Sequence, residues 1–356
     1  MDFFAHQERA RRNTGRLVVL FVLAVLGIVA SVYAAAIVAG LMAGILEVPT
    51  GRQPDPLAVW WNPALLAGVV LCVFAVVGLG SAHKLAQVSA GGRTVAEMLG
   101  GRIVEPGARD PLERRLLNVV EEMAVASGVP VPGVYLLDEE AGINAFAAGF
   151  APGDAVIGMT RGALEKLSRD ELQGVVAHEF SHVLNGDMRL NLRLLGVVAG
   201  ITVLGTLGWI VLRSTARVGT GRKKGGGVAA VIAFAAALAV IGFVGSLFGS
   251  LIKAAVSRQR EFLADASAVQ FTRNPGGIAG ALRKIGGFPS GSQVADSHAP
   301  EIAHMLFGEH GRRSLAQLTA THPPLAERIR RIDPSFAGKL ERRAEPSDAE
   351  VDAARG

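Results

Sequence analysis

Charge disappears from this chain four times over long stretches. Residues 17–46 lie between Arg16 and Glu47, 56–82 between Asp55 and His83, 194–212 between Arg193 and Arg213, and 225–252 between Lys224 and Lys253. A helix needs roughly 20 apolar residues to cross the hydrocarbon of a bilayer, so the first two stretches predict membrane-spanning helices. The third is marginal in length and carries Gly196, Gly200, Gly205 and Gly208; the fourth is long and rich in Ala and Gly. Small residues of this kind let helices pack closely in lipid. The pattern divides the chain into an N-terminal membrane anchor (1–84), a polar block (85–193), an apolar helical hairpin (194–252), a second polar block (253–338) and a tail (339–356) expected to be disordered because it is rich in Glu, Arg, Asp and Ala.

Within the first polar block the periodicity changes several times. Leu116 to Val125 has helical spacing, while Gly133 to Leu137 and Ala155 to Met159 read as short strands. A short helix ends over Gly162 to Leu167. Ser168-Arg-Asp-Glu171 then has the spacing of a capping box and opens a helix that stops at Asn185-Gly186. The second polar block reads as mostly helical. The fold class expected is α+β, mainly α with a small β-sheet, on an anchor of two to four transmembrane helices.

Cations set the expected orientation. Arg9, Arg11, Arg12 and Arg16 precede the first span, whereas the loop at 47–55 holds only Arg52. The positive-inside tendency places the N-terminus and the segment after residue 82 in the cytoplasm. The first apolar run is too long for a cleaved leader, and no A-x-A-like site is followed by a clear mature start, so it reads as a retained anchor. The loop at 213–224 carries Arg213, Arg217, Arg222, Lys223 and Lys224. If the third and fourth segments cross fully, these five cations lie outside, against that tendency; an interfacial or re-entrant hairpin is the alternative, and both stay open at this point.

Half of the 356 residues are apolar, and the mean hydropathy of +0.37 is high for a water-soluble globule. The net charge of +5 does not point to nucleic acid, because the cations flank apolar runs and form no stripe interleaved with aromatics. They suit anionic lipid head groups. The single cysteine, Cys72, lies inside an apolar run, so neither an intrachain disulfide nor a cysteine-based zinc site is available.

The chemistry concentrates in His178-Glu179-Phe180-Ser181-His182. Histidines four apart share one helical face and can grip one zinc ion, while Glu179 can reach a water on that ion and act as general base. A catalytic zinc needs a third protein ligand and an open position. Glu261, in Arg260-Glu-Phe-Leu-Ala-Asp265, is the best candidate; Asp265, four residues on, can orient a zinc-bound imidazole. The alternative for this pair is a solvated helix face partnered by Arg258 and Arg260. His322 precedes two prolines and a helix start, where it could steady an oxyanion or act as a cap. His298, His304 and His310 are weaker candidates for a metal role.

Taken together, Asn144-Ala-Phe-Ala147, Ala177-His-Glu-Phe-Ser-His182, Asn185-Gly-Asp187, Arg260-Glu-Phe-Leu-Ala-Asp265 and Thr321-His-Pro-Pro324 make the chain resemble the HtpX-type membrane metallopeptidases, a family that also includes the zinc CAAX-prenyl proteases. The resemblance runs over almost the whole chain, with two N-terminal anchors and an apolar hairpin inserted between the metal ligands. It implies a zincin-type protease domain holding one zinc ion on His178, His182 and Glu261, with Glu179 as catalytic residue. It implies an edge strand over Asn144, Ala145, Phe146 and Ala147 that binds extended substrate by backbone pairing; an ordinary buried strand is the alternative. The expected function is a multi-pass endopeptidase of the cell membrane, its protease domain cytoplasmic, acting on membrane or misfolded proteins. Its partners are protein or peptide substrates and the lipid bilayer, with no nucleic acid. Processing of prenylated C-termini and a non-catalytic scaffold with a relic site are the competing readings.

Overall fold

In the computed structural model, residues 3–47, 58–88, 91–218, 226–295, 306–308 and 320–345 are described. They divide into two compact units. One comprises residues 17–88 and 192–253; the other comprises residues 1–16, 89–191 and 254–356.

The first unit is helical. It takes most of α1 (Phe3–Met42), α2 (Pro63–Val88), the greater part of α7 (Asp187–Val218) and the first half of α8 (Gly226–Thr272). Among the described residues, four helices are long and apolar enough to cross a membrane. Their large side chains face outward as well as inward: Leu71, Leu79 and Phe248 are exposed, while Ile28, Val32, Val73, Val77, Ile201 and Leu204 form the core. Apolar surface on all sides of a helix suits lipid rather than water. Small residues bring the helices together, since a Cβ on Gly208 would lie 2.5 Å from the Ala239 backbone N, and one on Gly200 would lie 2.2 Å from the Val77 carbonyl oxygen. Exposed Trp60 and Trp61 follow the first span, and the Tyr33 hydroxyl donates to the Trp60 carbonyl at 2.9 Å, an aromatic grouping typical of a membrane–water boundary. The cations expected to settle the hairpin's topology fall partly outside the described residues, at 219–225. α8 is 47 residues long, about 70 Å at 1.5 Å per residue. That is more than twice the ~30 Å hydrocarbon thickness; its last nineteen residues belong to the other unit.

The second unit is α+β. A four-stranded sheet has the order β1 (Arg102–Ile103), β2 (Gly133–Leu137), β4 (Val156–Thr160), β3 (Ala145–Ala148). β2 and β4 run parallel, and β3 pairs antiparallel with β4, with Phe146 opposite Gly158. That glycine has a packing reason, since a Cβ there would lie 2.0 Å from the Phe146 ring. One face of the sheet packs under α3 (Gly91–Met98) through Val95, Ala96, Tyr135 and Phe146. The other face carries the main core, built with α4 (Pro111–Ser127), α5 (Arg161–Lys166), α6 (Arg169–Asn185), α9 (Pro275–Gly287) and α10 (Leu325–Ile332). The centre of that core is the α6–α9 contact, where Gly174 would place a Cβ 2.5 Å from the Ile278 backbone N. Residues 339–345 run back along the second unit with most side chains exposed. Leu340 lies against Gly286, the Arg343 N–H donates to the Gly287 carbonyl, and Glu345 pairs with Lys166 at 2.5 Å. One apolar side chain and one buried cation hold this charged segment in place. Residues 346–356 lie outside the described residues.

Candidate metal centre

α6 begins as the sequence indicates. The Ser168 Oγ accepts from the Glu171 N–H, and the Glu171 carboxylate accepts from the Ser168 N–H at 2.8 Å. Glu171 also pairs with Lys284 at 2.6 Å, tying the helix start to α9. The helix ends at Gly186, whose φ of 66° lies in the left-handed region that glycine adopts cheaply. Leu172, Val175, Val176 and Phe180 anchor the helix in the core, and His178, Glu179 and His182 lie beside them on the side turned to Glu261 and Asp265.

Three side chains converge, both Glu261 oxygens lying near the two imidazole nitrogens. His178 Nε2 and His182 Nε2 are 3.1 Å apart; Glu261 Oε1 lies 3.4 Å from His182 Nε2, and Glu261 Oε2 lies 3.6 Å from His178 Nε2. Among the described residues this is a group of metal-ligating side chains able to hold an ion. Zinc bound tetrahedrally at about 2.0–2.1 Å sets its donors about 3.3–3.4 Å apart, so the observed distances fit such an ion. Glu261 is on α8, so the hairpin returns the chain to the HExxH helix.

Each imidazole is backed by a carboxylate. Asp265 Oδ1 lies 3.0 Å from His178 Nδ1, although not aligned for a linear hydrogen bond. Asp187 Oδ2 lies 2.8 Å from His182 Nδ1. Both carboxylates are themselves held. Arg328 donates to Asp265 from two nitrogens, at 2.9 and 2.7 Å, and to the Phe307 carbonyl at 3.1 Å. Arg260 pairs with Asp187 and donates to the Asn185 carbonyl at 3.0 Å. The pair Glu261 and Asp265 is therefore no solvated face: both are buried, and Arg258 turns away to the Ala320 carbonyl.

The carboxylates around the two imidazoles favour positive charge on them. Burial opposes a proton on His178, yet Asp265 and Glu261 overcome it and push its pKa up; at His182, Asp187 and Glu261 do the same more strongly. The acidic surroundings thus favour positive charge where the three side chains meet. Glu179 is 1% exposed, and both its oxygens lack a hydrogen-bond partner. Burial raises its pKa, as expected for a carboxylate awaiting a donor. It lines a pocket of about 20 Å³ with His182, Glu261 and Ala147, room for about one water-sized group.

His322 Nδ1 lies 3.1 Å from Glu261 Oε2, and the residue is buried, so the structure brings it to the site. Of the expected substrate strand, Asn144 is buried, its amide donating to the Ser292 carbonyl at 2.7 Å. The Ala145 carbonyl accepts from the Phe307 N–H at 2.8 Å, and Phe146 bridges to Leu306. β3 is an edge strand, but its first half is covered by the chain itself, and Ala147 is the member that lines the pocket. His298, His304 and His310 lie outside the described residues.

The sequence reading gave no role in the site to Asp187 or Arg328, and read Arg260 only as a partner of Glu261 and Asp265 on a solvated face. Asp187 had a signal, because the Gly186 stop turns the chain back and lets a residue five beyond His182 meet it. Arg328 had none. It is one of three arginines in Leu325–Ile332, and only packing shows that it is fully buried.

Fold and site together define a metallopeptidase carrying membrane-spanning helices. Residues 111–335 match Peptidase family M48, and the chain belongs to that family. It is similar to the Protease HtpX homolog of Leuconostoc citreum, 34% identical over 330 residues that cover 92% of this chain and 98% of the relative. It is also similar to the proteins of the same name from Levilactobacillus brevis, 34% identical over 82% of this chain and 93% of the relative, and Thermoanaerobacter pseudethanolicus, 40% identical over 61% and 70%.

Proposed function

We propose that this chain is a zinc endopeptidase of the cell membrane that hydrolyses peptide bonds of membrane or misfolded proteins, with its protease unit in the cytoplasm. The observation that carries the reading is the convergence of His178, His182 and Glu261, with the two Nε2 atoms 3.1 Å apart and each 3.4 to 3.6 Å from a Glu261 oxygen, beside the unpaired carboxylate of Glu179. Zinc held there supplies Lewis acidity, polarising a scissile carbonyl and making water acidic near neutral pH. Glu179 takes the proton from the attacking water and delivers it to the leaving nitrogen. Asp265 and Asp187 keep Nδ1 of each imidazole protonated, so that each Nε2 offers its lone pair. His322, against Glu261, positions the third ligand and stands close enough to the reacting centre to help hold an oxyanion. Ala147 lines the pocket from the edge strand, along which an extended substrate would run. The cytoplasmic assignment rests on the four arginines before the first span against one in the following loop. A membrane anchor raises the effective concentration of neighbouring membrane chains, which favours them as substrates.

The test is Glu179→Gln, assayed on casein with zinc content measured in parallel. Zinc retained and cleavage abolished is the expected outcome; cleavage at the parent rate would remove Glu179 from the mechanism.

A further inference from the structure

The pocket beside the converging side chains has a wall that the mechanism above leaves unused. Asn191 lies on α7, one helical turn beyond Asp187, and lines the same pocket as Glu179, His182 and Ala147. The residue is half-buried, but its Oδ1 is screened from solvent and accepts no hydrogen bond. A buried amide oxygen without a donor is costly, and native structures rarely leave one so. A Leu or Met of similar size would line this wall at no such cost. Nor does Asn191 wander, since the start of α7 is pinned by Asp187, which meets His182 at 2.8 Å and is gripped by Arg260.

We propose, resting on the proteolytic reading above, that Asn191 is a substrate-binding residue whose Oδ1 accepts a backbone N–H of the bound peptide. A backbone N–H is the donor that every peptide brings whatever its side chains, so this contact orients substrate without selecting sequence. Ala147 on β3 and Asn191 on α7 both border the reacting position, and together they hold the peptide by its backbone. The contact is made in the bound substrate and in the transition state alike, so it acts on KM more than on kcat.

The experiment uses the full chain in detergent and a peptide spanning a casein bond that the parent cuts. A series of this peptide replaces each non-scissile amide in turn with an ester, which deletes one N–H. The parent is expected to show an amide preference of about three- to tenfold in KM at the position facing Asn191, the size of one hydrogen bond. Asn191→Ala and Asn191→Leu are expected to bind zinc like the parent, to raise KM for the all-amide peptide by a similar factor, and to lose the amide preference at that position alone. Zinc content shows that each variant keeps its fold. An unchanged pattern of ester penalties in both variants overturns the assignment, leaving Asn191 a carboxamide satisfied by water. If the zinc-loaded parent cuts no peptide at all, the proteolytic reading and this assignment fall together.

Discussion

The Asp187 carboxylate stands 2.8 Å from Nδ1 of His182, just past the glycine that ends the HExxH helix. Its counterpart at the other imidazole, Asp265, comes from α8 and lies 3.0 Å from Nδ1 of His178. Two carboxylates from two helices thus stand behind the rings of the two proposed ligands, and each carboxylate is held in turn by a buried arginine. The site is a network in which the metal-facing atoms are set from behind.

Removing the charge behind one ring is expected to loosen the metal while sparing the fold. Asp187→Asn should weaken zinc binding by about 10- to 100-fold, measured by competition with a chromogenic chelator, with helical circular dichroism unchanged. Parent-like affinity would show that Asp187 does not tune His182.

Arg328 is fully buried against Asp265, and its pKa is raised by that carboxylate and by Glu261, which outweigh the cost of burial. Arg328→Met leaves Asp265 as a buried charge with no strong partner. Breaking a buried pair on one side costs about 3–5 kcal/mol, so the midpoint of chemical denaturation should fall sharply. A variant as stable as the parent would place Asp265 in contact with water.

At the α6–α9 crossing, Gly174→Ala puts a methyl 2.5 Å from a backbone nitrogen, which cannot rotate away. Overpacking of this kind costs about 1–3 kcal/mol and should shift α6, lowering stability and proteolysis together. Unaltered stability would mean that the two helices have slack.

A pH-dependent contribution comes from Asp138, away from the metal. Burial favours its protonated form, but Arg102 and Arg161, both at 2.5 Å, prevail and hold its pKa below the usual carboxylate value. A depressed folded pKa gives stability that is present above the unfolded value, about 3.9, and is lost as pH falls through the folded one. Asp138→Asn should therefore be less stable than the parent at pH 7, and the gap should close below about pH 4. A gap independent of pH would assign the loss to packing.

Much of this was legible in the sequence because the signals are local. The capping box at Ser168 and Glu171, the glycine stop at 186, the i, i+4 histidines and the uncharged runs each act within one helix, and each appears where the pattern indicates. Glu261 was readable only through its neighbour Asp265 and a family resemblance, since nothing local says that a residue 79 positions beyond His182 returns to it. Residues 306–308 pair with the first half of the expected substrate strand from a distant part of the chain, which no local pattern announces. Arg328 and Asn191 were silent for the same reason: a polar residue on a helix declares its role only when the partner, or the lack of one, can be seen.

The most direct test of the metal centre is zinc stoichiometry on purified full-length chain, with His178→Ala, His182→Ala and Glu261→Ala beside the parent. One tightly held zinc ion per parent chain, lost or greatly weakened in all three variants, is the predicted result. A Glu261→Ala variant that holds zinc as tightly as the parent would contradict a site closed by that carboxylate.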